Sequence, residues 1–336
     1  MELRPWRFRK VGAVIGLVLF LMPVGWVLAH RLRPMDDPRW TVSDLGPACA
    51  ESLNGWALLQ TRVRLRDLSD EARDVLIDAE VELDASFLER LRDQVGSFEE
   101  ELESEAELRL QVAARPRFVD NCDPSGMVAC TVLPILDLWR QRALAVMIGA
   151  VRGRWDAVDT ELEAMWIQAV DYGGTCRTIV SCVAAPALLR VTLVAAEVAA
   201  QLRQEGFAEL AETLEETDLE RINLAEGLIG EYLVMRDALR SGEGGIAFDI
   251  AHTERLLRRN LELAHTYATT SGPRPYARMQ TERALWWVYN PQGKLFVDQV
   301  TALDYAEHVD VQRRQLREVR ERRDEVVRRL REPIAH

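Results

Sequence analysis

The sequence predicts an all-α protein: an N-terminal transmembrane helix followed by stacked αα-hairpins, either solenoid-like or gathered into a helical bundle. Three observations carry this. Ala, Leu, Arg, Glu and Val dominate while Gly and Pro cluster between segments, a composition that favours helix. Val11–Ala29 is an uncharged run long enough to cross a bilayer as a helix. From Ser69 onward, apolar residues recur at three- and four-residue spacing. The 336 residues suffice for one large domain or two medium ones, and 48% hydrophobic content is normal for a globular core. A net charge of -12 argues against a general nucleic-acid binder, which needs a positive surface to displace counterions.

The first element is the apolar run. Arg4, Arg7, Arg9 and Lys10 precede it and are expected to stay cytoplasmic, so the rest of the chain is expected to be exported. Trp6 and Trp26 suit the two interfaces. A cleaved signal peptide is the rival: Pro23 shortens the apolar core, and Val27-Leu28-Ala29 resembles a cleavage site. Arg31 and Arg33, directly after, favour the anchor. The expected organisation is a basic segment (1–10), the anchor or signal peptide (11–29), a linker (30–52) and a helical exported domain (53–332). The expected location is the inner membrane, single-pass, with the domain in the periplasm.

An exported domain permits disulfides. Of the five cysteines, Cys122/Cys130 and Cys176/Cys182 are the natural local pairs, leaving Cys49 over, although sequence alone does not fix connectivity. No C-x-x-C occurs, so a zinc ribbon or thioredoxin-type site has no support.

Beyond the linker, with Pro34, Pro38 and Pro47, a helix is expected from Asn54 as its cap. A long helical stretch then runs from Ser69 to about Val112, with Gly96-Ser97 as its expected break. Its glutamate run, six between Glu99 and Glu107, reads as a solvated face, with cation binding as the lesser alternative. Residues 113–134 read as a loop, with turn chemistry at Asp123-Pro124-Ser125-Gly126. Residues 135–153 and 154–172 form an αα-hairpin about Gly153. "GRWDAVDTEL" (153–162) is echoed by "EGFAELAETL" (205–214), hinting at stacked pairs. Residues 179–200 are apolar but carry Arg190 and Glu197, so a core helix is preferred to a second span.

Helices follow over Gly227–Ala238 and Ala251–Thr269, separated by the "SGEGG" loop at 241–245. Another is expected over Tyr276–Tyr289, and then a type I turn at Asn290, Pro291 and Gly293. That turn is not a phosphate loop: Val288 stands where the first glycine is required, and Leu295 follows Lys294 where Ser or Thr is required. Trp286 and Trp287 suit one core face. The last helix is expected over about Lys294–Arg331. Phe296, Val300, Leu303, Ala306 and Val309 line one face, and its end carries nine arginines and five acids between Arg313 and Glu332. Those charges read either as a solvated face with i,i+4 pairs such as Glu318/Arg322 and Arg320/Asp324, or as a basic handle for an acidic partner or anionic headgroups.

"NGWALLQ", "FVDNC", the helix "LWRQRALAVMIGAVRGRWDAV" and "YNPQGKLF" are spread over most of the chain beyond the anchor. In these elements the chain resembles a family of uncharacterised exported or membrane-anchored all-helical proteobacterial proteins with no established activity. The resemblance implies an all-helical exported domain and no particular chemistry.

No catalytic signature emerges. Neither G-x-S-x-G nor H-E-x-x-H occurs. Asp249–His252 and Glu262–His265 have the spacing of di-metal bundle ligands, but on one helix the two histidines point roughly 140° apart. No catalytic, cofactor-binding or metal residue is therefore assigned. The first functional expectation is a membrane-tethered periplasmic interaction or scaffold module for envelope proteins, with a protein partner and no cofactor. A helical hydrolase or lyase acting on an envelope substrate and a small-ligand-binding helical domain are the alternatives.

Overall fold

The computed structural model describes residues 35–60, 65–81, 83–124, 132–203, 207–241, 250–270, 272–275 and 304–331. Among these residues the chain is all-helical, with ten α-helices and no strand. The expected membrane helix, Cys130, the Tyr276–Tyr289 helix and the turn at Asn290, Pro291 and Gly293 lie outside them.

The helical stretch from Ser69, expected to break at Gly96-Ser97, is three helices: α1 (Asp70–Val81), α2 (Ala85–Glu103) and α3 (Ala106–Ala113). The break falls at Asp84, whose carboxylate accepts the Phe87 amide at 2.8 Å and starts α2. Gly96 and Ser97 lie inside α2 instead of breaking it. A mid-helix glycine costs about 1 kcal/mol, less than burying Phe87, Leu91, Val95, Phe98 and Leu102 along the same helix gains. The helix expected from Asn54 is only a 3-10 turn, Gly55–Leu58. Asn54 does cap it, accepting the Trp56 amide at 3.2 Å. The same side chain also donates to the Val119 carbonyl at 2.8 Å and accepts the Val119 amide at 2.9 Å, bonds that tie the turn to a distant loop.

After that loop come α4 (Leu133–Val151) and α5 (Trp155–Gly174), joined at Gly153. Gly153 has φ +69°, the left-handed conformation that glycine adopts without steric cost. The long apolar helix α6 (Ile179–Leu202) follows. It is long and apolar enough to cross a membrane, yet 72% of that apolar window is buried inside the protein. It is the central helix, packed by α4 and α5. Thr178 caps it: its hydroxyl accepts the Ser181 amide at 3.1 Å, and the Ser181 hydroxyl accepts the Thr178 amide at 3.0 Å.

The remaining helices are α7 (Ala208–Glu216), α8 (Ala225–Ser241), α9 (Ile250–Thr269) and α10 (Tyr305–Arg331). The last one returns to lie along α6 and α7 and also touches α9. In an open solenoid each unit meets only its chain neighbours, so these long-range contacts describe a bundle around α6. One core joins α1–α7 and the second half of α10. A second joins α8, α9 and the start of α10 with Trp40 and Leu45 of the linker.

Candidate functional site

Several arginines of α10 face neighbouring helices. Arg322 donates to Glu197 of α6 at 2.6 Å, and Arg329 approaches the same carboxylate at 3.7 Å. Arg331 meets Glu215 of α7. Glu318 accepts from Arg190 at 3.0 Å. Asp324 is held by its neighbour Arg323 at 3.0 Å. The expected pairs Glu318/Arg322 and Arg320/Asp324 are thus replaced by other partners. Pairing within α10 does occur one turn on, where Arg329 donates to Glu325 at 3.1 Å, and packing against α6 and α7 draws Arg322 and Arg331 to Glu197 and Glu215 instead.

One stretch differs. Arg313, Arg317 and Arg320 follow i, i+4, i+7 spacing and line a cleft of about 400 Å³ between α10, the end of α9 and the chain leading into α8. The three guanidiniums have different surroundings. Arg313 caps the C-terminus of α9, donating to the carbonyls of Tyr267 (2.7 Å) and Thr270 (3.0 Å). It also stacks 4.6 Å over the Tyr267 ring. Its charge answers the negative end of that helix. The Tyr267 hydroxyl donates to Asp310 at 2.6 Å, and this bond to a carboxylate raises the phenol's pKa. Among the described residues Arg320 has only a loose pair, Glu220 at 4.0 Å, whose side chain is 84% exposed. Such a pair contributes little. Arg317 is exposed and has no ion-pair partner among the described residues.

The facing wall is the start of α8. The Asn223 side chain accepts the Ala225 amide at 2.9 Å, and the positive end of that helix begins there. Ile222, Leu224, Val309 and Leu316 supply apolar floor and sides. The two hydroxyls of the cleft are occupied: Thr269 donates to His265 O at 3.0 Å and Thr270 to Thr266 O at 2.7 Å. The arrangement can hold one carboxylate or phosphate by forked donation from Arg317 and Arg320. Among its described lining residues no hydroxyl is bonded to a carboxylate.

The other residues singled out in the sequence fall elsewhere. Cys176 and Cys182 form a disulfide, while Cys49 is free. Cys122 is buried, and its expected partner Cys130 is outside the described residues. In the glutamate run, Glu99 accepts from Arg152 at 2.8 Å and Arg154 at 3.2 Å, and the Arg152 bond lowers its pKa. Glu101 accepts the Ser69 hydroxyl at 2.8 Å at the start of α1. His265 packs 5.2 Å from the Trp40 ring, and burial, then Arg39, lowers its pKa. Among the described residues no group of three or more His, Cys, Asp or Glu is placed to hold a metal ion.

Sequence reasoning missed Asn223, Glu220 and the division of labour among the arginines. The i, i+4, i+7 spacing of Arg313, Arg317 and Arg320 was visible, but nothing in the sequence says which carboxylates lie opposite. No family model, curated protein or solved structure matches the chain.

Proposed function

We propose that the protein is a membrane-tethered, periplasmic helical interaction module that receives an acidic group of an envelope protein in the cleft beside α10. The observation carrying this is Arg317, an exposed guanidinium with no ion-pair partner among the described residues, on the wall of a concave, partly apolar cleft. Specific binding sites combine apolar surface with a few placed charges in this way. Three further features support the setting. Val11–Ala29 has the length and composition of an anchor behind a basic segment. The Cys176–Cys182 disulfide suits an oxidising compartment. The resemblance to exported helical proteins points the same way.

The test is a photo-crosslinking side chain introduced at position 317 of the full chain in living cells. Irradiation is expected to trap a discrete protein adduct that Arg320→Glu removes and that a crosslinker at Glu103, on the exposed face of α2, does not give. Absence of any adduct at 317, or the same adducts from both positions, would overturn the cleft as the docking site.

A further inference from the structure

A second concavity lies far along the chain from the arginine cleft. It opens between α3, α4 and α5 and measures about 310 Å³. Its volume comes from missing side chains. Ala106 on α3, Ala145 and Gly149 on α4 and Ala157 on α5 all face it. A Cβ at Gly149 would press on Val158 at 3.0 Å, so this glycine lets α4 and α5 close the cavity's floor there. Ala145, Val146, Gly149 and Val158 give it an apolar floor, which an apolar chain covers more favourably than water does. Leu110, on the same cavity, has 71% of its surface exposed, which extends the apolar surface outward.

The charges around the cavity are uneven. Arg109 and Arg154 both line it. Glu161 lines it too, but its carboxylate is drawn at 2.5 Å to Arg142, which has no exposed surface and an Nη2 without a hydrogen-bond partner. Glu99 is shared between Arg152 and Arg154. Arg109 has Glu105 and Glu161 nearby and a 3.5 Å contact to Gln141, and burial pushes its pKa down. The cavity wall itself therefore carries two guanidiniums, Arg109 and Arg154, and one carboxylate, Glu161, which Arg142 already engages. In addition α5 starts there, and Arg154 at its N-cap gives no side-chain cap to the first amides.

We propose that this cavity binds a single-chain amphiphile with an anionic head, a fatty-acid-like carboxylate. The chain lies against Ala145, Gly149 and Val158, and the carboxylate sits between Arg109 and Arg154. This site is independent of the α10 cleft and of the proposed protein partner.

The experiment uses the full chain in lipid nanodiscs and a decanoate bearing a diazirine near its methyl end. Peptide mass spectrometry is expected to find the label in α3 and α4. Unlabelled decanoate should compete, whereas decyltrimethylammonium, of equal chain length and opposite charge, should not. Ala145→Phe, which fills the cavity, and Arg109→Gln, which removes a charged donor, should each weaken labelling by about tenfold or more. Thermal unfolding of each variant checks its fold, and Ala157→Leu, at an exposed position, blocks the entrance should Ala145→Phe unfold. Labelling unchanged in folded cavity-filling variants would overturn the site. Equal competition by the cationic amphiphile would overturn the anionic head.

Discussion

Pro186 stands inside α6, the most buried helix of the protein. Proline has no amide hydrogen, so the carbonyl four residues earlier, Cys182 O, loses its helical donor. A buried carbonyl left so costs about 1–3 kcal/mol. Here the deficit is met from another helix: Gln312 of α10, 2% exposed, donates its Nε2 to Cys182 O at 3.1 Å. Gln312→Leu is therefore expected to destabilise by about 1–3 kcal/mol, and most of that loss should disappear in a Pro186→Ala background, where the backbone amide is restored. A double-mutant cycle by urea unfolding measures the coupling. Equal costs in both backgrounds would show that the glutamine acts only by packing. Glu231 in α8 gives a pH-dependent counterpart. Burial raises its pKa above the ordinary 4.5, so its folded value exceeds its unfolded one. Its contribution is then full below the unfolded value and is lost as pH rises through the folded one. Glu231→Gln should unfold at higher temperature than the parent at about pH 8, and the gap should narrow toward pH 4. A gap that widens on acidification would contradict the sign.

The Cys176–Cys182 loop and α8 make one packed unit. A Cβ on Gly230 would fall 1.7 Å from the Arg177 carbonyl oxygen, and one on Gly227 would fall 2.6 Å from the Cys182 sulfur. These two glycines, at i and i+3, let the helix sit directly on the disulfide loop. Arg177 extends the tie, donating to Gly46 O at 2.7 Å and Cys122 O at 3.2 Å. Replacing both cysteines by serine releases a short loop and should cost about 2 kcal/mol, seen as a lower urea midpoint. An unchanged midpoint would mean that packing on α8 alone holds the loop. This unit also shows which elements the sequence discloses. Gly153 and the α4–α5 hairpin were legible because a left-handed turn there calls for glycine and the flanking apolar periodicity is strong. The Cys176/Cys182 pair was legible from its spacing. The break at Asp84 was not, because the helical pattern runs straight through it and Gly96 offers a more conspicuous breaker. Asn54 looked like an ordinary helix cap because its bonds to Val119 join residues far apart in sequence. The arginines of α10 were visible as charge, but the split between α6 partners, the α9 cap and the open cleft depends on how helices distant in sequence pack.

The two cores share α10, and the linker belongs to the second. Trp40 is 7% exposed, 5.4 Å from the Tyr232 ring and 5.2 Å from His265. Beneath it the Tyr232 hydroxyl donates to fully buried Glu254 at 2.6 Å. Burial first, then that bond, pushes the phenol's pKa up to about 12, so it stays a donor at ordinary pH. Just before Trp40, Asp36 O accepts from Arg236 at 2.8 Å and Arg39 meets Glu262 at 3.3 Å. On the proposed tether, the six steps from Ala29 to Met35 span at most about 20 Å, so docking of Trp40 keeps the α8–α9 pair close to the membrane and fixes which faces of the bundle remain open. Trp40 is the largest buried side chain between residues 35 and 52, and a buried Trp→Ala change costs about 3–5 kcal/mol. Trp40→Ala should therefore speed amide exchange over residues 39–45 by about a hundredfold, with exchange in α4–α6 unchanged. The aromatic contacts would not be what holds the linker if exchange there stayed slow. An equal rise in α4–α6 would instead make linker and bundle a single cooperative unit, so that the tether could not loosen without unfolding the core.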